Sequence, residues 1–180
     1  MAGFSVVPML VAFTSLSRYT AQVDRLDDAL VARVMDDYYR LAGSSIRKAG
    51  GRMVKFIGDA TLAVFPPGRA DRAVLGLLAL KDAVDGFMDE RDWECRLAVR
   101  VHFGPVAAGK FGAGSDRRYD VLGKTVNVAA RLEAGSGVAL SAEAFRRLGS
   151  EARARFKRHS PPTTYIRQED PTRPRWAKRS

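Results

Sequence analysis

Cysteine occurs once, at Cys95. That excludes an internal disulfide framework and suits a reducing compartment. Long hydrophobic runs are also missing. The apolar start from Phe4 to Phe13 is short, contains Pro8, and lacks a basic leader or a small-residue cleavage site. It reads as a strand, not a signal peptide or a membrane span, and the expected location is cytoplasmic. There is no internal repeat and no low-complexity segment. Acidic residues are the minority, 20 against 30 Lys and Arg, for a formal net charge of +10. Such a surface favours anionic partners. Much of the excess sits late, in Arg153, Arg155, Lys157, Arg158, Arg167, Arg173, Arg175, Lys178 and Arg179, where it reads as a solvated tail. No nucleic-acid recognition motif accompanies it, so nucleic acid is not an expected partner.

What is present is an ordinary globular chain of 180 residues, 46% apolar and 28% charged, enough for one domain with a real core. Val6 to Phe13 predicts a buried central strand. Leu26, Leu30, Val34, Tyr38, Leu41 and Ser45 with Ile46 recur at helical spacing, after Asp24, Asp27 and Asp28 and before Gly50-Gly51. Arg52–Phe56 and Thr61–Phe65 flank a hairpin tip, Ile57-Gly58-Asp59-Ala60. A second helix is expected from about Arg69 to Met88, with Ala73, Leu77, Leu80 and Val84 inward. Cys95 to Val101 alternates as a strand, and Gly104-Pro105 predicts a turn into Val106–Ala108. Gly109 to Arg118 reads as a glycine-rich basic arm, with Tyr119–Val121 pairing back. A helix from about Lys124 to Glu133 follows, then a buried strand at Val138–Leu140. Ser141 suits the N-cap of a short helix over Ala142–Leu148. Phe156 and Thr163–Ile166 read as edge strands, and Pro171 onward as tail. This order implies α+β architecture: helices on one face of a mixed or antiparallel sheet.

Four polar features invite a functional reading. Asn127 and Arg131 lie four apart on one helix face, near a helix start with unpaired N–H groups, an arrangement suited to a phosphoester. The same spacing equally makes a solvated face. Asp59 on a Gly-Asp tip is either a plain turn residue or a carboxylate presented to a cation. Lys55 alone fits a strand-edge lysine, and Asp120 alone a turn acceptor. Trp93, Trp176 and Cys95 carry no motif and read as packing or tail residues.

The stretch Tyr119-Asp120-Val121-Leu122-Gly123-Lys124-Thr125-Val126-Asn127-Val128-Ala129-Ala130-Arg131 resembles the signature of the class III nucleotidyl cyclase catalytic domain. Three further stretches match the family in order: Val11 to Thr20, Gly50 to Ala60, and Val99 to Gly109. Together they span roughly residues 6–145. The hairpin reads Ile-Gly-Asp-Ala, not the Gly-Gly-Asp-Glu-Phe of the related diguanylate cyclases. The resemblance implies a ferredoxin-like cyclase homology domain over 1–150, followed by a basic C-terminal strand and tail region over 151–180. It implies conversion of ATP to 3′,5′-cyclic AMP and pyrophosphate at a head-to-tail dimer interface, with Mg²⁺ or Mn²⁺ as cofactor. Asp59 matches a metal-binding aspartate. Lys55 and Asp120 match the pair that selects adenine: the lysine donates to ring nitrogen N1 and the aspartate accepts from the exocyclic amine. Asn127 matches the residue that orients the ribose, and Arg131 the one that stabilises the pentavalent phosphate. Thr125 caps or packs the helix start, Lys157 is the nearest candidate for a phosphate-binding lysine, and His102 reads as a strand histidine.

One position departs from the pattern. Where the family has Phe-x-Asp, this chain has Phe13-Thr14-Ser15, so the first metal aspartate is a serine. A neutral hydroxyl is a weak ligand for a hard dication. The expectation is an adenylate cyclase-type domain weakened, or dependent on a heterodimeric partner with both aspartates. The alternative is a catalytically inactive nucleotide-binding or dimerisation module. Ser15→Asp is expected to raise turnover. With no sensor or coupling segment, the chain reads as a stand-alone cyclase or the catalytic piece of a longer one.

Overall fold

The computed structural model describes residues 3–159 and 163–168. Its first strand, β1 (Phe4–Ser17), is longer than the apolar run that predicts it. It is buried over Leu10–Ala12 and at Thr14 and Leu16, but Val6 is 68% exposed. The reason is register: one neighbour pairs with the whole strand, the other only from Leu10 to Thr14. A short α1 (Tyr19–Val23), not foreseen, precedes α2 (Asp28–Lys48). Asp27 caps α2, its carboxylate accepting from the Ala29 and Leu30 amides. The helix ends before Gly50, whose φ of +83° suits glycine. Val34, Tyr38 and Ile46 face the core as expected, while Leu30 is 37% exposed.

The hairpin of β2 (Arg52–Ile57) and β3 (Ala60–Phe65) turns at Gly58-Asp59, and a bulge interrupts β2 between Met53 and Lys55. Next come α3 (Ala70–Asp89), β4 (Arg96–Phe111), β5 (Arg118–Leu122), α4 (Lys124–Arg131), β6 (Val138–Ser141), α5 (Ala142–Phe145), α6 (Ser150–Arg153), β7 (Phe156–His159) and β8 (Thr164–Arg167). The expected turn at Gly104-Pro105 is absent. β4 runs straight through it as a 16-residue strand. On its edge away from β1, β4 pairs with β6 over Val99–Val101 and with β5 over Ala107–Phe111. Pro105 falls in the gap between those partners, where its missing N–H costs no ladder bond.

The strands form one eight-stranded sheet, β2-β3-β1-β4-β6-β8-β7, with β5 also on β4. All pairs are antiparallel except β4 with β6, so the α+β expectation of a mixed, mostly antiparallel sheet holds. The large core joins α2 and α3 to the face that carries Leu10, Ala12 and Leu97. A smaller cluster, with Val11, Leu62, Val106, Val121 and Ala129, packs α4 on the opposite face, so the helices are not confined to one face as the sequence reading expects. Residues 156–159 and 164–167 extend the same sheet. Trp176 and the basic residues from Arg173 onward lie outside the described residues. No helix among the described residues is long and apolar enough to cross a membrane.

Candidate active site

Alternation along β1 turns Val11, Phe13 and Ser15 toward the α4 side of the sheet. Ser15 stands opposite Ala98 on β4, and Arg100 is its diagonal neighbour. The Arg100 Nη1 donates to Ser15 Oγ at 2.9 Å, and Nε donates to the Leu132 carbonyl at 2.8 Å. Leu132 is the C-cap of α4, so the guanidinium bridges that helix end to β1. Asp59 arrives from the β2–β3 tip, and its Oδ2 accepts from the Leu16 amide at 3.0 Å. The tip is braced by Tyr39, whose hydroxyl donates to the Gly58 carbonyl at 2.6 Å. Burial lowers the Arg100 pKa from its ordinary value, and the Asp59 charge opposes that shift. Ser15 and Asp59 are therefore brought to one place, with an arginine that sequence reasoning missed. Its signal was legible: a lone cation inside the apolar run Leu97-Ala98-Val99-Arg100-Val101 needs a partner.

A second pair forms on the same chain. Lys55 Nζ and Asp120 Oδ2 are 2.6 Å apart, with the side chains 40% and 24% exposed. The bulge before Lys55 resets its position on β2. Asp120 is held from the other side, its Oδ1 accepting from the Val121 amide at 2.8 Å. An ammonium and a carboxylate presented together, half in solvent, offer one strong donor and one strong acceptor to a planar base.

Asn127 and Arg131 share the exposed face of α4, while Thr125 and Ala129 are buried beneath it. With Lys124, Val128, Leu132 and Glu133 they line an open groove of about 470 Å³. Thr125 packs rather than caps: its hydroxyl donates to the Pro105 carbonyl at 2.6 Å, and Gly123 is the N-cap. Gly104 makes that approach possible, since a Cβ there would stand 2.6 Å from Thr125 Oγ1.

His102 lies in β4, as expected of a strand histidine. Its Nδ1 lies 2.8 Å from Ser141 Oγ, which also accepts from the Ala144 amide as the N-cap of α5. That leaves the serine proton free to be donated to a neutral imidazole. Burial lowers the His102 pKa, against the pull of Glu143. Burial likewise pushes the Cys95 thiol up to about 11, in keeping with an unreactive core residue. Lys157 is exposed on β7, at the far edge of the sheet from β2.

The residues at 15 and 59 do not fit a pair of divalent ions. Ser15 Oγ already accepts from a guanidinium.

The family model for the adenylate and guanylate cyclase catalytic domain matches residues 5–164. An adenylate cyclase of Anabaena cylindrica is 32% identical over 133 residues, 69% of this chain and 26% of the relative. An uncharacterized protein of Mycobacterium tuberculosis is 32% identical over 123 residues, 68% of this chain and 23% of the relative. The chain thus spans about a quarter of the length of these curated relatives. Among solved structures, the adenylyl cyclase CyaB from P. aeruginosa superposes with a TM-score of 0.80 at 17% identity, covering 94% of this chain and 97% of that one. A bacterial light-regulated adenylyl cyclase gives 0.78 at 21% identity, covering 92% and 52%. At those identities the likeness is one of fold.

Proposed function

The chain belongs to the adenylate and guanylate cyclase catalytic domain family, and from that premise we propose that it is an adenylate-type domain supplying the nucleotide-reading half of a site shared across a dimer. The observation that carries the reading is the contact between Lys55 and Asp120. Adenine presents an acceptor at N1 beside a donor at its 6-amino group. The pair can open onto that edge, the lysine donating and the aspartate accepting, whereas guanine presents the reversed pattern. Asn127 orients the ribose, and Arg131 meets the negative charge that grows on the α-phosphate. The 3′-oxygen forms its bond to the α-phosphorus, the bond to the β-phosphate oxygen breaks, and the 3′-hydroxyl proton leaves to solvent.

Class III cyclases generally use divalent metal ions. Since positions 15 and 59 do not suit them, the Mg²⁺ or Mn²⁺ of a working assembly falls to a partner subunit with both aspartates. Support for a dimer comes from exposed apolar side chains on the elements that carry the site: Phe56 and Ile57 on β2, Leu122 on β5 and Val128 on α4. A homodimer would then be slow or silent. The Ser15–Arg100 contact favours a second reading, a catalytically inactive nucleotide-binding module.

The test is cyclic AMP formation from ATP by the chain alone and mixed with a cyclase domain that has both metal aspartates but lacks Arg131's counterpart. The first reading expects far more product from the mixture than from the chain alone, and loss of that gain with Arg131→Ala. Lys55→Ala or Asp120→Ala should weaken ATP binding by at least about tenfold each. ATP binding without product in any mixture would select the second reading. No dependence of ATP binding on either residue would sink both.

A further inference from the structure

Arg100 is a cation that the family reading assigns no task, and it stands where that reading needs one of another kind. It is half-buried on β4, on the α4 side of the sheet, and each of its two observed hydrogen bonds fixes it. One goes to Ser15 Oγ, the other to the carbonyl at the C-cap of α4. The negative end of the α4 dipole favours a cation there. The Asp59 carboxylate, bonded to the peptide next to Ser15, acts on it electrostatically.

We propose that the Arg100 guanidinium takes the place of a divalent cation between β1 and the Asp59 hairpin, so that Ser15 and Arg100 together keep this half of the site metal-free. The proposal rests on the cyclase reading of Ser15 and Asp59. Its physical basis is charge and reach. A serine hydroxyl accepts well from an arginine but ligates a hard dication weakly. An always-charged guanidinium held at the same hydroxyl repels a second cation. Ser15→Asp alone would therefore not build a metal site. It would give Arg100 a carboxylate to engage with two parallel hydrogen bonds. The expectation that this single change raises turnover gives way to a paired requirement: an acid at 15 and no cation at 100.

The test is binding of Mn²⁺ alone to the full chain, read as loss of the free-ion electron paramagnetic resonance signal. Wild type, Ser15→Asp, Arg100→Ala and the double variant are compared, with Arg100→Met as a second replacement that keeps the volume of the stem. Melting curves with and without Mn²⁺ check that each variant folds. Wild type and both single variants should take up little Mn²⁺ below about 1 mM, and the double variant should bind at least about tenfold tighter than either. A double variant no better than Ser15→Asp, whether both bind or neither does, overturns the proposal. So does wild-type binding in the micromolar range. Failure of the cyclase reading would appear elsewhere, as ATP affinity indifferent to Lys55 and Asp120.

Discussion

His102 shows how a single side chain can hold a structural post and leave a functional trace. Its imidazole lies partly buried against the Ser141 hydroxyl that caps α5, and that burial lowers its pKa below the ordinary 6.5. Between the folded pKa and 6.5 the unfolded chain binds more protons than the folded one, so stability rises with pH across that window. The contribution is intact above about pH 6.5 and is lost as the pH falls through the folded value. Urea midpoints measured at pH 7.5 and pH 5 should separate more for wild type than for His102→Gln. Equal separations would mean that another group carries the acid sensitivity. Arg100 is the contrasting case. The charge was visible in an apolar run, but its partner, a serine 85 positions away in the chain, was not.

At the scale of elements, α4 depends on a strand that does not bend. The Thr125 hydroxyl reaches the Pro105 carbonyl because β4 passes straight under the helix start and Gly104 has no side chain. Gly104→Ala would place a methyl 2.6 Å from Thr125 Oγ1, so that either the Thr125 hydroxyl leaves the Pro105 carbonyl or α4 moves. We expect a loss of about 1–3 kcal/mol, seen as a Tm lower by about 2–4 °C per kcal/mol. ATP affinity should fall with it, since Asn127 and Arg131 ride on that helix. An unchanged Tm would show that the helix can shift at no cost. The helix boundaries themselves were legible: Asp27 caps α2 and Gly50 stops it, both through local backbone chemistry.

For the whole molecule, assembly can be tested at one surface. Phe56, Ile57, Leu122 and Val128 are between 38% and 48% exposed on the elements that carry the candidate site, which makes them the surface to test for a dimer contact. Leu122→Asp should shift the solution mass with ATP from dimer to monomer, with stability changed by no more than about 0.5 kcal/mol. A mass indifferent to the substitution would place the dimer surface elsewhere. Residue types and local pattern were enough to determine the α+β class, the two long helices and the Gly58-Asp59 hairpin, because helix caps, strand alternation and turn residues act over a few positions; Lys55, Asp59, Asp120, Asn127 and Arg131 became candidates only through the resemblance to the cyclase family. Tertiary structure alone decided three things: that β4 continues through Gly104-Pro105, that a bulge re-aims Lys55, and that Arg100 meets Ser15. Each depends on which strand lies beside which and in what register, and distant segments must come together before such neighbours exist.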